Sequence, residues 1–270
     1  RSCITGNSTT ASMNWIDFHY YSQQRGMQQI DALMHSRIAN LFYARYGRRD
    51  SQEQCGGGQH TNNRITGGTA GYGMQDTIGY DGAYKINNKI TNSLVDNNQI
   101  HQYAWYRGQD EYGSPTVTQV NNISCLGYED IYGHKYDMMD GVDLPNDSGN
   151  SGKWRIWMPD GSIRFVKGKT SSDQWITGVA HGKYMDMVPV GSANGSSSTY
   201  YCDKYYISTA VSRVVFRGYS HAGAYGGVSY AGANNDASSS SSSIGSRLAF
   251  RGRIVKAESV EAYKALSEKA

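Results

Sequence analysis

Apolar residues recur at steps of three and four over 23–46, at Met27, Ile30, Met34, Ile38 and Leu41. That period predicts one buried face of an amphipathic helix, ended by Gly47. A second helical pattern, AESVEAYKALSEKA, closes the chain at 257–270. The intervening pattern changes from helical to alternating. Over 153–167, Trp154, Ile156 and Met158 alternate with polar or outward positions, Pro159-Asp160-Gly161 supplies a turn, and Ile163 and Phe165 resume the alternation. A hairpin is expected there. Segments 211–217 and 244–255 read as further strands, and Gly/Asn/Asp-rich stretches such as 55–73 read as turns and loops. Few helices, many short strands and long connections predict a single α+β domain over 1–256, with 257–270 as a C-terminal helix. Function is expected on its loops.

Segment 213–253, RVVFRGYSHAGAYGGVSYAGANNDASSSSSSIGSRLAFRGR, breaks this pattern. Two strand-like ends enclose a tract of Tyr, Gly, Ser, Ala, Asn, His and Asp. Tyr supplies rigid amphipathic contact area at low entropic cost, and Ser, Gly and Asn supply adaptable hydrogen bonding. The serines at 238–243 have a spacer's composition. An apolar strand follows them at once, however, so the run is expected to lie across the scaffold with alternate hydroxyls outward.

Composition narrows the function classes. Tyr, with 22 residues, far outnumbers Phe and Trp with 5 each, so aromatic surface comes in a form that tolerates water. The formal charge of +3 includes no basic run, and nucleic acid is not an expected partner. No apolar run is long enough to span a bilayer, no signal peptide is evident, and the opening RSC reads as a domain cut from a longer polypeptide. Cys3, Cys55, Cys125 and Cys202 show no metal-type spacing. Free or half-buried thiols are expected, with a Cys3–Cys55 bridge left open.

Catalytic patterns are lacking: there is no GxxxxGK[ST], HExxH or GxSxG. GGTAGYG at 67–73 reads as a turn, and His60, His101, His134, His181 and His221 are scattered. Asp137, Asp140, Asp143 and Asp147 could offer oxygens to calcium, but their spacing is not that of an EF-hand and a solvated turn explains them equally.

Three segments carry a resemblance. GYEDIYGHKYDMMDG (127–141) resembles the G-L-x-D-x-x-G-N-V-W-E-W segment of the formylglycine-generating-enzyme branch of the C-type lectin fold, with Gly127, Asp130 and Gly133 in place. There His134 replaces the Asn, Tyr136 and Met138 the two Trp, and Asp137 the Glu. RVVFRGYS resembles that branch's R-V-x-R-G-G-S, and IGSRLAFRG its closing G-F-R strand. The interval between them is similar to the variable region of proteins diversified by retroelements in gut Bacteroides and their phages. RIANLFYARYGRRDSQ (37–52) looks similar too, and the likeness covers roughly half of the chain.

The resemblance implies a C-type lectin fold around an N-terminal helix. It implies a non-enzymatic binder of a host-cell surface protein or glycan, with no cofactor or metal. A phage tail-fibre adhesin on the virion is the expected setting, a bacterial surface-displayed protein the alternative. A homotrimer is expected by analogy with tail fibres alone. Adenine-directed mutation of Asn codons in such systems yields Tyr, His, Asp, Gly, Ser or Ala and never a stop. Expected diversified, ligand-contacting positions are Tyr219, His221, Tyr225, Tyr230, Gly232, Asn234, Asn235, Ser239, Ser241 and Ser243, with Tyr219, Tyr225 and Tyr230 as anchors. Gly218, Gly227, Val228, Ser229, Ala233, Ile244, Gly245 and Arg247 would be scaffold. The branch's oxidase activity needs a cysteine pair after its R-G-G-S, where this chain has none. The Ca-dependent lectins of the fold need an acidic ligand before Pro and a WND, which Leu144-Pro145-Asn146-Asp147 does not supply.

Overall fold

A computed structural model describes residues 13–24, 26–55, 83–86, 89–92, 100–109, 115–125, 128–129, 131–133, 135–168, 173–219, 225–241 and 243–250. The helix of 257–270, the turn of 67–73, His60, His134 and His221 lie outside them. His101 falls on a strand whose side chains are not described.

The first element is a helix that the apolar period does not announce, α1 (Trp15–Gln23). Asn14 caps it by accepting from the Asp17 N–H, and the Asp17 side chain returns to the Asn14 N–H. Such a reciprocal box satisfies two donors that a helix start leaves open. A two-residue strand β1 (Gln28–Gln29) follows, and only then α2 (Ala32–Tyr46), opened by the Asp31 side chain on the Met34 N–H. The expected helix therefore loses its first third. Gly26 takes φ +65°, and the Ile30 N–H and C=O bond to Arg247 and Asp140, which draws 28–30 into sheet-like pairing. Met27 and Leu41 are 39% and 49% exposed, and the buried stripe runs instead through Leu33, Ile38, Ala39 and Phe42. The end falls as expected, with Gly47 left-handed and its N–H on the Tyr43 carbonyl.

After a short α3 (Ser51–Cys55) come two small sheets: the pair β2 (Ala83–Ile86) and β3 (Lys89–Asn92), and the triplet β4 (Ile100–Gln109), β5 (Pro115–Cys125) and β6 (Tyr128–Glu129). The main sheet is built from β7 (Tyr136–Leu144), β8 (Lys153–Trp157), β9 (Ile163–Lys167), β10 (Gln174–His181), β11 (Met187–Ala193), β12 (Lys204–Ile207), β13 (Arg213–Arg217), β14 (Ala231–Ala233) and β15 (Ile244–Gly245). Its order is β11-β10-β12-β14-β13-β7-β8-β9, with β15 also on β7. A last strand, β16 (Leu248–Ala249), pairs with β1. The fold is mixed α and β, mostly strands in a curled sheet with few helices.

The hairpin forms where expected, Trp154 opposite Val166 and Trp157 opposite Ile163, with Gly161 at φ +80° in the turn. Its register inverts one expectation. Even-numbered residues of both strands face the same side, so Trp154 and Ile156 are fully buried while Ile163 and Phe165 are 48% and 43% exposed. One core lies under the sheet around Trp154, Ile156, Ile176, Tyr205 and Val215. On the opposite face α1 packs Phe18 against Met138, Val214, Phe216 and Ile244.

Candidate binding surface

The tract departs from β13, the strand between β7 and β14. At its end Gly218 takes φ +84°, and a Cβ there would stand 2.8 Å from the Ile131 carbonyl oxygen, so only glycine fits. The Gly133 N–H bonds the Gly218 and Tyr219 carbonyls, and Tyr219 itself turns left-handed at φ +53°. Its ring meets Tyr230, Tyr136 and Tyr225 edge-on at 5.0, 5.5 and 6.1 Å between centroids. Edge-to-face contact of this kind is a favoured aromatic geometry.

The three expected anchors therefore meet, but at different depths. Tyr230 is 5% exposed, Tyr219 is half-buried and Tyr225 is 43% exposed. Burial pushes the Tyr219 phenol up to about 12 and holds Tyr230 well above the usual tyrosine range, so both remain neutral hydroxyls. Tyr230 is a floor, and Tyr225 is the outermost ring. Lys204 Nζ sits 3.8 Å from the Tyr225 ring centroid and pairs with Asp173 at 2.7 Å, while Trp175 meets the ring at 6.0 Å. The Tyr225 carbonyl accepts from the Lys204 N–H, which pins the loop to β12. Lys204, Trp175 and Asp173 have no counterpart in the linear reading, because only the β10–β12 pairing brings them here.

The remaining candidates run away from this patch and back. Gly232 is buried in β14, where a Cβ would stand 2.9 Å from the Tyr230 hydroxyl, so it offers no ligand contact. Asn234 is exposed and Asn235 half-buried at the far end of β14, the Asn235 carbonyl taking the Val214 N–H. Asp236 gathers the Ser238 N–H and hydroxyl, which hold its carboxyl below the usual range. The Ala237 carbonyl accepts from the Trp15 N–H. The serine run then returns, and the Ser243 carbonyl accepts from the Tyr136 N–H. It does lie across the scaffold, but among its described residues Ser238 and Ser240 are the exposed members. Ser239, Ser241 and Ser243 are half-buried, with the Ser241 and Ser243 hydroxyls bonded to each other at 2.8 Å.

A buried polar network supports the patch. The Asp203 carboxylate accepts from the Ser229 N–H at 2.7 Å, and Tyr43 and Ser229 share a hydroxyl–hydroxyl bond. Arg217, 3% exposed, donates to His35 Nδ1 and to the Val228 carbonyl. Burial and the neighbouring cations Arg217 and Arg247 keep His35 neutral. Burial also pushes the Asp203 carboxyl up to about 7. Its protonated form is thus favoured by folding, and stability should fall as pH rises from about 4 to about 7, by ~1 kcal/mol per unit. Asp203→Asn keeps an acceptor for Ser229 and removes the titration. Urea midpoints of the two proteins, measured across that window, are expected to diverge in favour of Asn as pH rises. Parallel curves would refute the assignment.

The acidic residues noted above do not converge. Asp137 is buried against Arg247 at 2.7 Å, Asp140 faces His19 at 3.3 Å, and Asp143 and Asp147 share Arg155. Among the described residues no three acidic, His or Cys side chains form a metal cluster, and no helix is long and apolar enough to cross a membrane. Cys202 is buried, and desolvation with Asp50 and Asp203 nearby pushes its thiol up to about 11. Compared with protein-family models and with curated proteins, the chain matches none.

Proposed function

We propose that this chain is a non-enzymatic recognition domain of the C-type lectin type. Its tract over 219–243 is diversified by a retroelement to bind a host-cell surface protein or glycan, as a phage tail-fibre adhesin does. The observation that carries this reading is the division of labour within the tract. Its backbone is tied into the sheet through Tyr225, Ala231–Ala233, Asn235 and Ser243, while Tyr225, Asn234, Ser238 and Ser240 face outward. Side chains at such positions can change without breaking the bonds that hold the loop.

Two further features support it. The three segments that resemble the lectin branch converge on one residue: Asp137 pairs in register with Arg217 and Gly245, and its carboxylate takes the Arg247 guanidinium. The left-handed backbone of Tyr219 is one that Asn adopts far more readily than most residues. An Asn-encoding template there would suit the backbone conformation. The raised Cys202 thiol is a poor nucleophile, which speaks for binding over oxidase chemistry. Several copies on one virion would raise a weak single-site affinity by avidity.

The test is binding of the recombinant chain to intact gut Bacteroidales cells. Tyr225→Ala removes the outermost anchor and is expected to cost about 2 kcal/mol, near thirtyfold in affinity, with an unchanged Tm. Tyr230→Ala would instead remove a floor residue and confuse binding with folding. Unchanged cell binding by the Tyr225 variant would overturn the site.

A further inference from the structure

At the other end of β13 the described residues line a cavity of about 570 Å³ between α1 and the outward face of β7 and β8. Small-molecule sites fall in the range ~300–1,000 Å³. Strand β13, with Arg213 and Val214 at the cavity and Arg217 next to the tyrosine patch, separates the two. Trp157 stands at its rim, 41% exposed. The Arg155 guanidinium lies 4.9 Å from the Trp157 ring centroid, and Asp143 grips that guanidinium through both carboxylate oxygens. The ring is therefore clamped on one side before any ligand arrives. Trp15, which also lines the cavity, donates its indole N–H to the Met139 carbonyl and stacks on His19 at 5.1 Å and 15°.

The polar groups of the cavity include the carboxylates of Asp31, Asp140 and Asp143 and the guanidinium of Arg213. Asp140 lies 3.3 Å from His19 Nδ1, and Asp143 pairs with Arg155. Gln29 is 2% exposed, and its Nε2 donates to the Met138 carbonyl. Its Oε1 is enclosed as well and meets no donor among the described residues. Three carboxylates along the wall disfavour phosphate and carboxylate ligands. A fixed indole beside carboxylates suits a ring with one apolar C–H face and a hydroxyl rim.

We propose that this cavity is a second binding site, for a neutral pyranose, separate from the tyrosine patch. Saturation-transfer NMR with glucose, galactose, mannose and N-acetylglucosamine at millimolar concentration tests it on the full chain. At least one of the four should receive transfer from the wild type. Trp157→Ala, on an outward ring, should keep the wild-type melting curve and weaken that sugar about tenfold or more. Asp140→Asn should weaken it too, and Tyr225→Ala should leave it unchanged. The proposal is overturned if none of the four sugars receives transfer, or if Trp157→Ala binds as the wild type does. It is equally overturned if Tyr225→Ala, and not Trp157→Ala, abolishes binding, since the sugar would then sit on the tyrosine patch. Cell binding through that patch is a separate measurement and fails or succeeds independently.

Discussion

An Arg217→Ala chain is expected to lose about 3–5 kcal/mol of folding stability, enough to leave a marginal domain largely unfolded at 37 °C. Arg217 is buried, yet burial lowers its guanidinium only to about 10, so it is a cation at neutral pH. Its two hydrogen bonds reach opposite directions, to His35 on α2 and to the Val228 carbonyl inside the tract. Alanine would leave His35 Nδ1 and a buried carbonyl unpaired and would open a cavity between helix and sheet. Asp203 would also lose its nearby favourable charge. Equilibrium urea denaturation checks this, with Arg217→Lys as the companion. Lysine restores charge but cannot make both contacts in one plane, so recovery should be partial. A midpoint unchanged in Arg217→Ala would show that the network contributes nothing.

Gly227→Ala is expected to cost about 3 kcal/mol by the opposite route, overpacking. Its new methyl would stand 2.1 Å from Ser51 Oγ and 2.7 Å from the Asp203 carboxylate. Neither neighbour can yield cheaply: Ser51 Oγ accepts the Val228 N–H, and Asp203 holds the Ser229 N–H. Displacing them would break the bonds that seat the tract on α3 and β12. The same denaturation series measures it. Gly178→Ala serves as the control, since neither glycine has a left-handed backbone and its methyl would meet only Val190 Cγ2 at 4.0 Å. Equal losses in the two would show that the close contacts with Ser51 and Asp203 contribute nothing.

Local signals carried some elements well and others not at all. The hairpin of β8 and β9 and the end of α2 at Gly47 follow from turn and cap chemistry, which acts over a few residues. The start of α2 was not legible, because Gln28, Gln29 and Ile30 answer to partners near residue 248 and at Asp140 rather than to their own period. Asn14 and Asp17 did carry a capping signal for α1, though the helix lacks the apolar spacing that would draw attention to it. In the tract, composition identified the aromatic patch but not its layering. Tyr225 and Tyr230 are chemically identical, and only packing decides that one is surface and the other floor. Serine parity came out inverted for a related reason: Ser238 and Ser240 are exposed and alternate with half-buried Ser239 and Ser241, and identical residues carry no signal for which set faces out.

The closing strands have a consequence for synthesis. Gln28 and Gln29 find their partners only at Leu248 and Ala249, more than two hundred residues later, and Tyr136 waits for Ile244. A chain leaving the ribosome cannot finish its sheet until everything up to residue 249 has emerged. A reading-frame error or premature stop within 219–243 therefore yields a product with its first strand unpaired and β7 open, which proteolysis would clear.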